Sequence, residues 1–162
     1  MTASAAAGKS WLDQKMSVSE NEPIQIRIFQ YPDDYAPVIG LWGQAGPGIH
    51  LGRSDEPEEI FKKLARDPDL FLLAEQNSRL VGAVLGGFDG RRGMMYHLAV
   101  EPACRGQGIG EALMEELERR LVNKGCIRYY LLVTKDNADA IRFYEARGWD
   151  QLELYVYGKD LT

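Results

Sequence analysis

The residues with the plainest chemical meaning are Arg105-Gly106-Gln107-Gly108-Ile109-Gly110, which follow the apolar run Leu98-Ala99-Val100 and lead through Glu111 into a segment with Leu113, Leu117 and Leu121 on one helical face. Glycines at alternate positions let the main chain turn tightly and approach an anion closely. The first amides of a helix beginning there would point at that anion, with the positive end of the macrodipole behind them. Strand, glycine-rich turn and helix start, in that order, make a receptor for a phosphate group, so the chain is read as binding a phosphorylated cofactor. The loop is not G-x-G-x-x-G near the start of a βαβ unit, and no Lys-Ser or Lys-Thr pair follows its last glycine. The dinucleotide and P-loop patterns are therefore both absent.

The elements that must hold this loop are legible on either side of it. Ile24, Ile26 and Ile28 alternate with Gln25 and Arg27, the period of a half-buried strand. Pro32-Asp33-Asp34 starts a helix with Tyr35, Val38, Ile39 and Trp42 at helical spacing, and Gly43 to Gly52 is too glycine-rich to continue it. A second helix is expected over Asp55 to Arg66, capped by Ser54 or Asp55, with Pro57 in its first turn and Ile60, Phe61 and Leu64 as its buried stripe. Leu70–Glu75 and Leu80–Phe88 read as a hairpin, and Met94–Val100 as its next antiparallel neighbour. A helix from Gly108 to Lys124 stops at Gly125, and the apolar run Ile127–Val133 returns as a strand parallel to the one before the helix. A last helix, Asp136 to Arg147, closes at Gly148, and Leu152–Tyr157 is expected as a final strand.

With 162 residues, 45% of them hydrophobic, the chain fits one core and has little room for a second. That core is expected over 24–162, preceded by a flexible polar tail, 1–23, which lacks the apolar centre of a signal peptide and contains Met16 as a possible internal start. A net charge of -5 without a Lys/Arg cluster argues against a nucleic-acid binder. No apolar run approaches the roughly 20 residues of a membrane helix. Cys104 and Cys126 suit neither a disulfide framework nor a metal cluster, so a reducing cytoplasm and no metal are expected.

The R-x-x-G-x-G of residues 105–110, behind Leu98-Ala99-Val100 and Pro102, resembles the acetyl-CoA signature of the GNAT N-acetyltransferases. Asn137, Ala140 and Phe143-Tyr144-Glu145-Ala146-Arg147-Gly148-Trp149 resemble that family's second motif, in the expected order, and the likeness runs from Ile24 to about Gly158. The resemblance implies the acyl-CoA N-acyltransferase fold, α/β (α+β), with a mixed, mostly antiparallel central sheet, helices on both faces and two central parallel strands that splay apart. It also implies a β-bulge in the strand holding Leu98 to Val100, and transfer of the acetyl group of acetyl-CoA to a primary amine by direct attack in a ternary complex, with Cys104 a spectator.

Carried over residue by residue, the amides of Gly106, Gln107, Gly108, Ile109, Gly110 and Glu111 would hold the diphosphate, with Arg105 adding charge. The backbone of Leu98, Ala99 and Val100 would guide the pantetheine. Asn137, with Ala140 a turn on, would bond the same arm, or Asn137 caps a helix. Tyr144 would protonate the leaving thiolate, or it is a core aromatic. Where relatives place a base this chain has Met94, Tyr96 and Leu132. His97 faces away from Tyr96 and Leu98 unless a bulge changes the parity, and His50 lies in the loop after the first helix; each is either a base or structural. Without a strong base the amine must arrive neutral. A lysine side chain near pKa 10.4 is neutral less than about one part in a thousand at pH 7, an α-amine near 7.7–8.0 roughly a tenth. The acceptor is therefore expected to be a weakly basic amine of a peptide or small molecule.

Asp55, Glu56, Glu58 and Glu59 either attract a cation or answer a helix dipole. Trp42, Trp149, Tyr155 and Tyr157 line the acceptor side or fill core. A non-catalytic acyl-CoA sensor of the same fold is the other reading, and a homodimer is compatible with both.

Overall fold

The computed structural model describes residues 22–161. The tail expected over 1–23 lies outside the described residues except for Glu22 and Pro23. Glu22 donates its amide to Asn77 Oδ1 (3.2 Å) and accepts at its carbonyl from Gln76 Nε2 (3.0 Å).

The chain runs β1 (Gln25–Ile28), α1 (Tyr35–Gln44), α2 (Pro57–Arg66), β2 (Phe71–Gln76), β3 (Arg79–Phe88), β4 (Gly93–Val100), α3 (Ile109–Asn123), β5 (Tyr129–Leu131) and α4 (Ala138–Glu145). The strands lie in sequence order in one sheet, antiparallel from β1 to β4 and parallel between β4 and β5. Both faces are covered, as the fold class requires. Leu72, Ala74 and Val84 meet Ile109, Leu113, Leu117 and Leu121 of α3, with Phe143 and Tyr144 of α4 against the same cluster. Phe71, Leu73, Ala83 and Leu85 meet Val38, Leu41 and Trp42 of α1 and Ile60 of α2.

Packing rather than capping fixes α3. Its N-cap is Gly108, which offers no side-chain bond, while fully burying each of its leucines is worth about 1.5–3 kcal/mol against roughly 1 for a good cap. The helix sits close to the sheet because β3 carries glycine beneath it. A Cβ at Gly82 would lie 2.9 Å from Ile109 Cγ2, and one at Gly86 would lie 2.4 Å from Leu117 Cδ1. Gly86→Ala is expected to destabilise the fold by about 1–3 kcal/mol through overpacking, read as a lower urea midpoint at unchanged slope.

Three expectations are corrected. Leu152–Tyr157 is not a strand: residues 149–161 have no regular structure, and Leu154, Tyr155, Val156 and Tyr157 are exposed. Alternation makes a segment fit for pairing, but the pairing needs an edge to meet. Phe61 is 61% exposed rather than buried, and meets Tyr31 edge-on at 6.1 Å. Neither Ser54 nor Asp55 caps α2. Glu56 is the N-cap, and Asp55 closes a 3-10 turn (Arg53–Asp55) with its side chain buried.

Candidate active site

The site begins where β4 parts from β5. Their ladder pairs Gly93 with Tyr129, Met94 with Tyr130 and Met95 with Leu131, then stops, although β4 continues to Val100. On its other side β4 pairs His97 with Leu85 and Met95 with Gly86, which leaves Tyr96 as an inserted residue. This is the bulge the resemblance implies, and it bends the strand where the ladder ends. A cleft of about 610 Å³ opens there, floored by Leu98, Ala99 and Val100 and walled by Leu132 and Val133 beyond β5. One end is Arg105, Gly106, Gly108, Ile109, Gly110 and Glu111, and the α4 side is Asn137, Ala140, Phe143 and Tyr144. Gln107 does not line the cleft, while Tyr144 and every other residue named for the coenzyme do.

Gly106 (φ 75°) and Gly108 (φ 80°) are both left-handed, so the turn depends on them. The first helical bond of the loop runs from Ala112 N to Gly108 O (3.0 Å). The amides just ahead of it have no intrahelical partner, which is the general condition of a helix start. Gly110 is different. A Cβ there would sit 3.4 Å from Phe143 and 3.6 Å from Val100, in ordinary contact.

Arg105 donates from Nε to Val100 O (3.2 Å) and from Nη2 to Ala45 O (2.8 Å), stapling the end of α1 to the end of β4 while keeping its charge at the cleft. A second cation was not foreseen. Arg147 lies 3.7 Å over the Phe143 ring, donates to Phe143 O (2.9 Å) and reaches Glu111 at 3.5 Å. Its signal was the four-residue spacing from Phe143, which puts both on one face of a helix. Ala45, Gly48 and Ile49, from the loop between α1 and α2, were also missed as lining.

Asn137 caps α4, its Oδ1 accepting from Ala140 N (3.2 Å), while its Nδ2 faces the main chain of Gly48, where a Cβ would lie 2.4 Å away. Tyr144 packs edge-on against Phe143 (5.2 Å) and Trp149 (5.7 Å). Burial pushes its phenol up to about 12, so the hydroxyl keeps its proton at neutral pH. Burial also raises the Cys104 thiol, with Glu101 3.6 Å away adding to the effect. A protonated thiol is a poor nucleophile.

The inserted Tyr96 puts Met95 and Leu98 on the α3 side and turns His97 toward α1. His97 lies edge-on to Trp42 (4.7 Å), and its Nε2 is 3.1 Å from Asp55 Oδ1. Asp55 Oδ2 accepts from Gly52 N (2.9 Å). The pair, Asp55 buried and His97 partly so, clamps β4 to the turn before α2, outside the cleft lining. His50 is exposed and also outside it. Among the described lining residues the carboxylates are Glu111 and Asp139, in the first turns of α3 and α4, and the rest of the lining includes Ala45, Gly48, Ile49, Tyr96, Leu132 and Val133. Glu56, Glu58 and Glu59 stand off the cleft, with Glu59 on Lys62 (2.6 Å). Trp42 is core, and Tyr155 and Tyr157 are 87% and 89% exposed. Among the described residues no group of three His, Cys, Asp or Glu could hold a metal, and no helix is long and apolar enough to cross a membrane.

A parallel strand pair that parts beyond a bulge, above a helix opening on two left-handed glycines, is the acyl-CoA N-acyltransferase fold. The chain belongs to the acetyltransferase (GNAT) family, whose sequence profile matches residues 27–149. An acetyltransferase of Pectobacterium atrosepticum is 42% identical over 139 residues, covering 85% of this chain and 96% of its own. In fold, the chain is similar to one in the NatC complex bound to Gag peptide and coenzyme A (TM-score 0.69, 22% identity, 80% of this chain and 86% of that one). It is also similar to an aminoglycoside N-acetyltransferase in complex with coenzyme A (TM-score 0.66, 17% identity, 86% and 96%).

Proposed function

We propose that the protein transfers the acetyl group of acetyl-CoA to a weakly basic primary amine, the α-amine of a peptide or small molecule, in a ternary complex. The observation that carries this is the bulge at Tyr96, which frees the β4 backbone from Leu98 to Val100 in a cleft with a glycine-turn helix start at one end and a protonated Tyr144 on its wall. The amides from Gly106 to Glu111 hold the diphosphate, and Arg105 and Arg147 add positive charge. The edge of Leu98, Ala99 and Val100 pairs with the pantetheine arm, and Asn137 with Ala140 bounds it from α4.

Held beside the thioester, the amine nitrogen attacks the carbonyl carbon, and collapse of the tetrahedral adduct breaks the C–S bond. The Tyr144 hydroxyl gives its proton to the departing sulfur and regains one from solvent. The ammonium proton leaves through water, since the described lining of the cleft has no imidazole and its carboxylates, Glu111 and Asp139, stand in the first turns of α3 and α4. Alignment supplies much of the rate. The separate thiols of Cys104 and Cys126 suit a cytoplasmic setting.

Thiol release from acetyl-CoA, followed across α-amine peptides, a polyamine and an aminoglycoside between pH 6 and 9, tests this. Turnover is expected with an α-amine, rising with pH as the amine loses its proton around 7.7–8.0. Preference for the polyamine overturns the acceptor class. Tight coenzyme binding with no thiol release from any amine favours the sensor reading, whose support is the missing base.

A further inference from the structure

The geometry points to a carboxylate-binding subsite on the open face of β5, where Arg92 and Arg128 hold an acidic group on the third residue of a peptide acceptor. This deepens the function proposed above and rests on it. Tyr129 and Leu131 pack on the α3 side of the sheet, so alternation turns Tyr130, between them, to the other face. Over the earlier strands that face is covered by Val38, Leu41 and Trp42 of α1 and Ile60 of α2. At β5 the cover ends. Neither Tyr130 nor its ladder partner Met94 packs into either core, and Tyr96 is 56% and Leu132 62% exposed.

Along this face the side chains form a track that leads to the cleft. Arg92 and Arg128 immediately precede β4 and β5, and Gly93 N donates to Arg128 O (3.1 Å) where the two strands start together. Met94 and Tyr130 come next as register partners. Tyr96 and Leu132 come last, and both line the cleft. The Tyr96 ring leans toward α2, since a Cβ at Gly87 would lie 3.1 Å from that ring and 3.7 Å from Lys63 Nζ. From Leu132 back to Tyr130 is two residues, about 7 Å, which is also the rise of two residues of extended peptide. A peptide with its α-amine among the cleft residues therefore brings its third residue over Tyr130.

What waits there is positive charge without a counter-charge. Arg92 and Arg128 stand over the Tyr130 ring at 5.6 and 5.5 Å, and neither has a carboxylate partner among the described residues. Asp89, in the turn that presents Arg92, directs one oxygen to the amides of Arg91 and Arg92 (both 2.7 Å). The cations of α2 on this side are already engaged: Lys63 on Asp67, and Arg66 on Phe88 O (3.1 Å). Two guanidiniums over one phenol ring present forked donors to a planar anion, and the ring holds them by cation–π attraction until it arrives. An aspartate or glutamate side chain and the terminal carboxylate of a tripeptide offer the same group.

Titration calorimetry on the full chain saturated with coenzyme A reads the subsite without turnover. The probes are tripeptide amides, Ala-Ala followed by alanine, aspartate or lysine, and trialanine with its carboxylate free; thiol release from acetyl-CoA is followed with the same four. The aspartate peptide is expected to bind about 10-fold tighter than the alanine amide, and the lysine peptide more weakly than either. Arg92→Gln/Arg128→Gln should bring all four to within about twofold of one another, and Arg92→Glu/Arg128→Glu should invert the order. Coenzyme A affinity should match the native value in both variants. Tightening by the free carboxylate alone assigns the group to a chain end, by aspartate alone to a side chain, and either result supports the subsite. Equal affinities in the native chain, no peptide binding at all, or an aspartate preference that survives the glutamine variant overturns it. Thiol release that ignores peptide charge sinks the subsite and leaves acetyl transfer standing. An arginine-dependent aspartate preference with no thiol release from any amine does the reverse.

Discussion

Gly108→Asp is expected to weaken coenzyme A binding by about a hundredfold to a thousandfold while lowering the melting temperature by only about 2–4 °C. Gly108 is left-handed at φ 80°, and no heavy atom lies within 4 Å of where its Cβ would stand. Aspartate tolerates the left-handed region better than most side chains, so the turn survives at a cost of about 1 kcal/mol. The new carboxylate then stands at the start of α3, where the diphosphate would lie. Two like charges about 4 Å apart at an effective dielectric near 20 repel by roughly 4 kcal/mol, before any screening by salt. Titration calorimetry with coenzyme A reads the effect directly. Gly110→Ala is the control, because its Cβ meets only ordinary contacts with Phe143 and Val100, and its affinity should stay close to native. Equal affinity in the native chain and the aspartate variant would remove the diphosphate from this turn.

Tyr144→Phe should lower kcat about a hundredfold, within the usual range for a general acid, and leave the KM for acetyl-CoA nearly as it was. The ring and its contacts with Phe143 and Trp149 are kept, and only the hydroxyl goes. Turnover should slow rather than vanish, because a thiol with a reference pKa near 8.5 leaves moderately well unaided. Burial raises the phenol to about 12, so the native enzyme should show no falling limb from Tyr144 across the physiological range. The raised value also has a sign for stability. The folded state holds this proton more tightly than the unfolded state, so the contribution is complete below the unfolded value near 10 and fades as pH climbs toward 12. Burial and Glu118 also raise Tyr129, so the Tyr144 share is the difference between native and Tyr144→Phe denaturation curves over that window. A variant with native kcat would return Tyr144 to the core.

The elements around the phosphate turn were readable because their signals are local. Alternation at Ile24 to Ile28, the helical stripe of Leu113, Leu117 and Leu121, and the left-handed stops at Gly125 and Gly148 need no knowledge of distant neighbours. The misreadings all needed such knowledge. Phe61 fits the α2 stripe by spacing, but Ile60 and Leu64 are the residues that reach the core. Asp55 looks like a cap until His97 is known to lie across from it. The orientation of His97 depends on a single inserted residue at Tyr96, and one extra residue in a strand reverses every side chain beyond it. Within the site, the glycines were visible as a pattern. The staple by Arg105 was not, because it rests on carbonyls brought together only by the fold, whereas Arg147 had a local signal in its four-residue spacing from Phe143.

The stretch from Ala45 to Asp55 is moored to β4 at both ends, by the guanidinium on the Ala45 carbonyl and by the imidazole on the Asp55 carboxylate. It works like a bridge deck on two fixed piers. Its middle, with Gly46 at φ 97° and with Gly48 and Ile49 overlooking the cleft, can change in composition while the piers keep their spacing. One wall of the cleft can thus be rewritten at a handful of positions between those moorings, with the glycine turn and α3 left undisturbed.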